Sequence, residues 1–195
     1  MREGGYGGTA GWVFVGGALR EFKDIMEEQT ALKDKVVLIV DDEPDVLEAV
    51  AEQLDMCLIH KATDHETAYQ YLMDYTYDIV ILDIMGVDGF ELLKLSVRRG
   101  FPTVMLTAHA MTPETLKKSI RLGALSFMPK EKIAEIKDYL EDVVLGGGKA
   151  VWEKLFDRLG SYFNKRFGPG WEKKDRFLKE FIETLKESET KGSSK

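Results

Sequence analysis

Five runs of apolar, largely β-branched residues recur along the chain, and each is followed by apolar positions at helical spacing. The first run, Val36-Val37-Leu38-Ile39-Val40, shows no alternation, which predicts a strand buried on both faces of a parallel sheet covered by helices. Pro44 then opens a helix carrying Val46, Leu47, Val50, Ala51 and Leu54. Residues 56–61 predict a second strand. A helix capped by Thr63 or Asp64 runs to Met73, with Ala68, Tyr69 and Leu72 facing inward. A third strand, Ile79-Val80-Ile81-Leu82, ends at Asp83. The next helix starts at Gly89, carries Phe90, Leu92, Leu93 and Val97, and stops at Gly100. Residues 102–106 form a fourth strand ending at Thr107, and Thr112-Pro113 starts a helix to Leu122. Residues 124–128 form a fifth strand ending at Pro129-Lys130. Ile133, Ile136, Leu140, Val143 and Val144 mark a fifth helix.

This alternation predicts an α/β fold: a five-stranded, doubly wound parallel sheet in residues 34–146. After Gly146-Gly147-Gly148, Trp152, Leu155, Phe156, Leu159 and Phe163 share one helical face. The Phe167-Gly168-Pro169-Gly170 turn leads to Phe177, Leu178, Phe181, Ile182 and Leu185 on another. Residues 149–188 therefore read as a C-terminal helical hairpin, and 189–195 as a polar tail. Residues 1–33 read as a flexible Gly-rich segment, with Met26 as an alternative initiator. Leu19, Phe22, Ile25 and Met26 could place a short helix within residues 18–32.

Composition narrows the function. No apolar run reaches the roughly 20 residues that span a bilayer, and no lipidation motif is present. The single cysteine, Cys57, excludes an internal disulfide and a cysteine zinc site; it reads as a packing residue in a cytoplasmic protein. The net charge of −7 is uneven: residues 151–195 hold eleven Lys/Arg and eight Asp/Glu, a net of +3. An acidic body with a mildly basic tail argues against broad nucleic-acid binding.

The informative polar residues stand at strand ends. Asp41-Asp42 follows the first strand, Asp83 ends the third, Thr107 the fourth, and Lys130 follows the fifth. In a parallel sheet these ends share one edge, where active crevices lie. The arrangement gathers three carboxylates, a hydroxyl and an ammonium. Crowded carboxylates call for a cation, and an oxygen-only site suits Mg²⁺. Asp83 can then attack phosphorus, while Thr107 and Lys130 bind phosphoryl oxygens. Taken alone, Asp41-Asp42-Glu43 could be a solvated helix entry, Thr107 a strand-end cap, Lys130 a solvated lysine and Phe127 a core residue. His65 and His109 read as exposed, and His60 as a strand residue without a visible partner.

With these residues the sequence resembles the receiver domain of bacterial two-component response regulators. The likeness is carried by Asp41-Asp42, Leu82-Asp83-Ile84-Met85, Asp88-Gly89-Phe90-Glu91-Leu92-Leu93, Thr107-Ala108, Phe127 and Lys130. It implies Asp83 as phospho-acceptor, and Mg²⁺ held by Asp42, Asp83 and the Met85 backbone carbonyl, with Asp41 acting through a metal-bound water. It implies that Thr107 moves toward the phosphoryl group and Phe127 moves inward. Met85 and His109 would tune phosphoryl lifetime. The partner implied is a sensor histidine kinase or phosphotransfer protein, with no enzymatic activity beyond self-phosphorylation and slow autodephosphorylation. A homodimer would use the face of the fourth helix, fifth strand and fifth helix, or the hairpin. Departures from the family pattern are a loop after Asp83 about two residues short, Gly86 in place of a common Pro, and Glu131 in place of Pro after Lys130. The bulky Met85 predicts a long-lived phosphoryl state.

Other functions fit less well. An aspartyl-phosphate phosphatase of the haloacid-dehalogenase type needs a second Asp two residues after Asp83, where Met85 stands. A dinucleotide site needs G-x-G-x-x-G after the first strand. A DNA-binding output is the alternative, but two short helices without wing strands are thin for a helix-turn-helix module. Signalling through protein contacts is the favoured output.

Overall fold

The structure is a computed structural model, described here for residues 30–108, 111–146 and 148–192. The expected short helix within residues 18–32 falls mostly outside these residues. Strands β1 (Val36–Val40), β2 (Leu58–Ala62), β3 (Ile79–Asp83), β4 (Thr103–Thr107) and β5 (Ser126–Pro129) form one parallel sheet, ordered β2-β1-β3-β4-β5. Helices α1 (Pro44–Gln53), α2 (His65–Asp74), α3 (Gly89–Arg98), α4 (Pro113–Leu122) and α5 (Ile136–Leu145) alternate with the strands. Helices α1 and α5 pack together, as do α2, α3 and α4 in succession, so both sheet faces are covered. That is why β3 and β4 are buried at every position and could not alternate apolar with polar residues.

Local chemistry sets the boundaries. Asp64 caps α2, accepting the Thr67 N–H at 2.8 Å. Thr112 and Thr115 close a reciprocal cap at the start of α4, and Gly123 ends that helix in the left-handed region (φ 94°). Three strand starts fall later than the pattern predicts. Met56 and Cys57 are spent in the turn that ends α1, with Cys57 N–H bonded to the Leu54 carbonyl, so β2 begins at Leu58. Ala124 N–H closes the end of α4 onto Ser119, which delays β5 to Ser126. β4 begins at Thr103 rather than residue 102. The fifth helix is split: a 3₁₀ turn over Lys130–Glu135 precedes α5.

Several orientations differ from expectation. Tyr69 lies on the solvent side of α2, 41% exposed, because Ala68 and Leu72 already fill the inner stripe. Cys57 is only partly buried, with its thiol on the Leu32 carbonyl at 3.3 Å. His60 has a partner: Nδ1 lies 2.8 Å from the Tyr77 hydroxyl, within a ring cluster that includes Tyr71 and Tyr75.

The last part is a helical hairpin, as the pattern predicts: α6 (Lys149–Phe167), a 3₁₀ turn at Trp171–Lys174, and α7 (Arg176–Gly192). Val151, Trp152, Leu155, Leu159 and Phe163 form the buried stripe of α6. Helix α7 continues past residue 188, where a polar tail was expected. The hairpin lies on the receiver-like body: α6 packs against β5 and α5, and Asp175 at the start of α7 pairs with Lys117 of α4. The face formed by α4, β5 and α5, one of the two surfaces expected for a homodimer, therefore carries the chain's own C-terminal helices. No helix among the described residues is long and apolar enough to cross a membrane.

Candidate functional site

The sheet brings the strand-end residues to one mouth. Asp83 ends β3 beside Leu106 of β4, and Thr107 ends β4 beside Pro129, the residue before Lys130. Asp41 follows β1 with its N–H on the Ala62 carbonyl of β2. A cleft of about 170 Å³ is lined by Asp42, Glu43, Asp83, Met85, Gly86, Thr107, Ala108 and Lys130. Asp41, Asp83 and Thr107 are buried, while Asp42 and Met85 are exposed at the rim. His109 lies outside the described residues.

Lys130 ties the carboxylates together. Its Nζ is 2.8 Å from Asp41 Oδ2, 2.8 Å from Glu43 Oε1 and 3.3 Å from Asp83 Oδ1. Asp41 Oδ1 also accepts the Glu43 N–H at 3.1 Å. Burial works against the lysine's charge, but its bonds to Asp41 and Glu43 and the field of Asp83 outweigh it and hold its pKa above the usual range. Burial likewise pushes Asp41 up, against the lysine's pull. Asp83 is raised to about 6, first by burial and then by the charge of Asp41, with Lys130 and the Met85 N–H opposing. One ammonium does not compensate two buried carboxylates, so the site is short of positive charge.

The short loop after Asp83 is closed by glycines. Gly86 adopts φ +63°, and a Cβ there would fall on the Asp42 carboxylate; a Cβ at Gly89 would fall on the Asp83 carbonyl oxygen. The Met85 carbonyl accepts the Val87 N–H at 2.5 Å, and the Gly89 N–H bonds the Ile84 carbonyl at 3.3 Å. This tight turn lets the shortened loop hold Asp42 and Asp83 along one cleft.

The donor set is all oxygen, which suits a hard divalent cation. Asp41 Oδ2 is buried and accepts no well-aligned hydrogen bond, although the Lys130 ammonium is close by. Among the described residues no three acidic, His or Cys side chains gather closely enough to hold a metal alone. A cation here needs backbone oxygen and water as well, which matches the habit of Mg²⁺.

Phe127 is fully buried in β5, the strand against which α6 packs. Reading the sequence also missed Glu43 as a partner of Lys130. The signal was present, since Glu43 lies two residues from Asp41 on the same turn.

Residues 37–141 match the response regulator receiver domain family. The chain belongs to that family. Receiver domains are the phosphoryl-accepting parts of two-component response regulators, carry no enzymatic activity beyond that phosphorylation chemistry, and imply a histidine kinase partner. This receiver is 33% identical over 116 residues to the response regulator GtcR of Aneurinibacillus migulanus, covering 54% of this chain and 48% of that protein. It is 31% identical over 134 residues to the phosphate regulon transcriptional regulatory protein PhoB of Pseudomonas aeruginosa, covering 61% and 57%. The chain thus spans about half the length of these curated relatives. The receiver also superposes on the chemotaxis protein CheY4 of Vibrio cholerae with a TM-score of 0.52 at 25% identity, covering 56% of this chain and 98% of that one.

Proposed function

We propose that this receiver accepts a phosphoryl group on Asp83 from a histidine kinase or phosphotransfer protein and signals through protein contacts. The observation that carries the reading is the cleft in which Asp83, Asp42, Thr107 and Lys130 meet at the carboxyl edge of the sheet. A carboxylate oxygen of Asp83 forms the new bond to phosphorus as the bond from phosphorus to the donor's imidazole nitrogen breaks. The imidazole leaves with the electron pair and stays with the donor. Lys130 pairs with the charge of the transferred group, and the Thr107 hydroxyl donates to one of its oxygens. Asp42, Asp83 and the Met85 carbonyl would hold Mg²⁺ directly, with Asp41 acting through water. When bound, the ion screens the repulsion between the carboxylates and the incoming phosphoryl oxygens. Met85, at the rim, stands where it hinders an attacking water, and His109 is the second residue assigned to phosphoryl lifetime.

Output through protein contacts is supported by the surface of α7, where Arg176 and Lys179 pair with Glu180 and Glu183. A mixed-charge face of this kind lacks the basic stripe that binds phosphate backbones. The receiver, incubated with acetyl phosphate and Mg²⁺, is expected to gain one hydroxylamine-labile phosphoryl group by intact mass, and none in EDTA. A native protein left unmodified across the usable donor range would overturn the reading.

A further inference from the structure

The seam between α4 and the hairpin holds a cavity that the phosphoryl chemistry does not use. Its volume is about 430 Å³, within the roughly 300–1,000 Å³ of small-molecule pockets. It shares no lining residue with the Asp83 cleft. Helix α4 supplies one wall, with Lys117, Lys118, Arg121 and Leu122, and the hairpin supplies the other, with Asp175 and Leu178. Leu178 is fully buried and Leu122 half-buried, which gives the cavity an apolar lining. Because the second wall belongs to the hairpin, the receiver fold alone does not build this site.

The charged side chains decide what fits. Lys117 is neutralised by Asp175, and that carboxylate also accepts the Leu178 N–H at 3.1 Å, which holds it in place. Lys118 and Arg121 are held differently. The Lys118 Nζ lies 3.8 Å from the centroid of the Phe90 ring, and the Arg121 guanidinium carbon lies 4.6 Å from that of Phe177. A ring face positions a cation without neutralising it. Among the described residues neither cation makes an ion pair. With Glu114, the lining carries three cations against two carboxylates, one positive charge in excess in a chain whose net charge is −7. An adjoining cavity of about 290 Å³ adds Arg176 and Glu180, which pair with each other and leave that balance unchanged.

We infer that this seam binds a small amphipathic monocarboxylate, with its apolar body against Leu122 and Leu178 and its carboxylate on Arg121 and Lys118. Arg121 presents a planar fork that takes a carboxylate through two parallel hydrogen bonds, and Lys118 adds a point charge. One negative charge matches the excess, whereas a phosphate monoester, at about −1.5 to −2, overshoots it. Each methylene of the body that is buried strengthens binding by roughly fourfold.

The test is calorimetric titration of the full chain with octanoate, hexanoate, octanol and octyl phosphate, with hydrogen exchange to locate the bound ligand. Octanoate is expected to bind about tenfold more tightly than hexanoate, and more tightly than octanol or octyl phosphate, and to raise amide protection in α4 and the start of α7. Lys118→Gln and Arg121→Gln lie at exposed positions that the fold tolerates, and each is expected to weaken octanoate roughly three- to tenfold. No octanoate binding at millimolar concentration, or octanoate affinity unchanged in both variants, would overturn the site. Octanol bound as tightly as octanoate would overturn the role of the cations, and octyl phosphate bound more tightly would overturn the singly charged head.

Discussion

Replacing Asp83 with Asn should make the metal-free protein more stable at neutral pH. Asp83 is 3% exposed, beside Asp41, with its carboxyl raised from 3.8 to about 6. A shift of about two units corresponds to roughly 3 kcal/mol, at about 1.4 kcal/mol per unit. The sign follows from proton binding. Between pH 3.8 and about 6 the folded state holds the proton more tightly than the unfolded state, so stability falls as pH rises through that window. Asparagine never ionises and escapes the loss. Lys130 gives up a 3.3 Å partner but keeps Asp41 and Glu43, which trims the gain to about 1–3 kcal/mol. Urea unfolding of both proteins in EDTA, from pH 4 to 8, measures the difference. The gain should be full at pH 7, shrink through pH 6 and vanish near pH 4, with an unchanged denaturant slope. A gain that persisted at pH 4, or a less stable Asn variant at pH 7, would refute the argument that buried charge at Asp83 opposes folding.

Three further outcomes follow from the same geometry. Mg²⁺ affinity, followed by titration calorimetry, should fall about tenfold per pH unit below about 6, because the ion and the proton compete for Asp83. Affinity that is flat between pH 5 and 7 would count against Asp83 as a ligand. Gly86→Ala should displace Asp42 and weaken Mg²⁺ by about tenfold or more, with a stability loss of about 1–2 kcal/mol from the left-handed backbone. Unchanged affinity would show that Asp42 has room to move. Phe127→Ala empties a fully buried site and should cost about 3–5 kcal/mol in chemical denaturation; a loss under 1 kcal/mol would mean the ring is not a core element.

Much of the fold was legible because each central strand is a continuous apolar run ending in a polar residue, and a parallel sheet places such ends on one edge. Asp83, Thr107 and Lys130 converge on one cleft for that reason, and Asp41 joins them through its ion pair with Lys130. What escaped reading depends on contacts between distant positions. Glu43 and Lys130 meet across 87 positions of chain, and His60 meets Tyr77 through a ring cluster that no spacing rule announces. Tyr69 was misplaced because two neighbours on α2 suffice to fill the inner face. The role of Gly86 was hidden as well, since it depends on how closely the loop backbone approaches Asp42. The hairpin's helices were visible as stripes, but not the surface they cover, which is fixed by ion pairs and rings supplied from α4 and α5.

The central claim, that Asp83 takes the phosphoryl group, is tested most directly by locating that group. The receiver is treated with acetyl phosphate and Mg²⁺, the acyl phosphate is trapped by borohydride reduction, and its peptides are sequenced by mass spectrometry. The account predicts the label at Asp83 alone, and none in the Asp83→Asn variant. Label found on Asp41, Asp42 or another residue of the native protein, or retained by the variant, would contradict it.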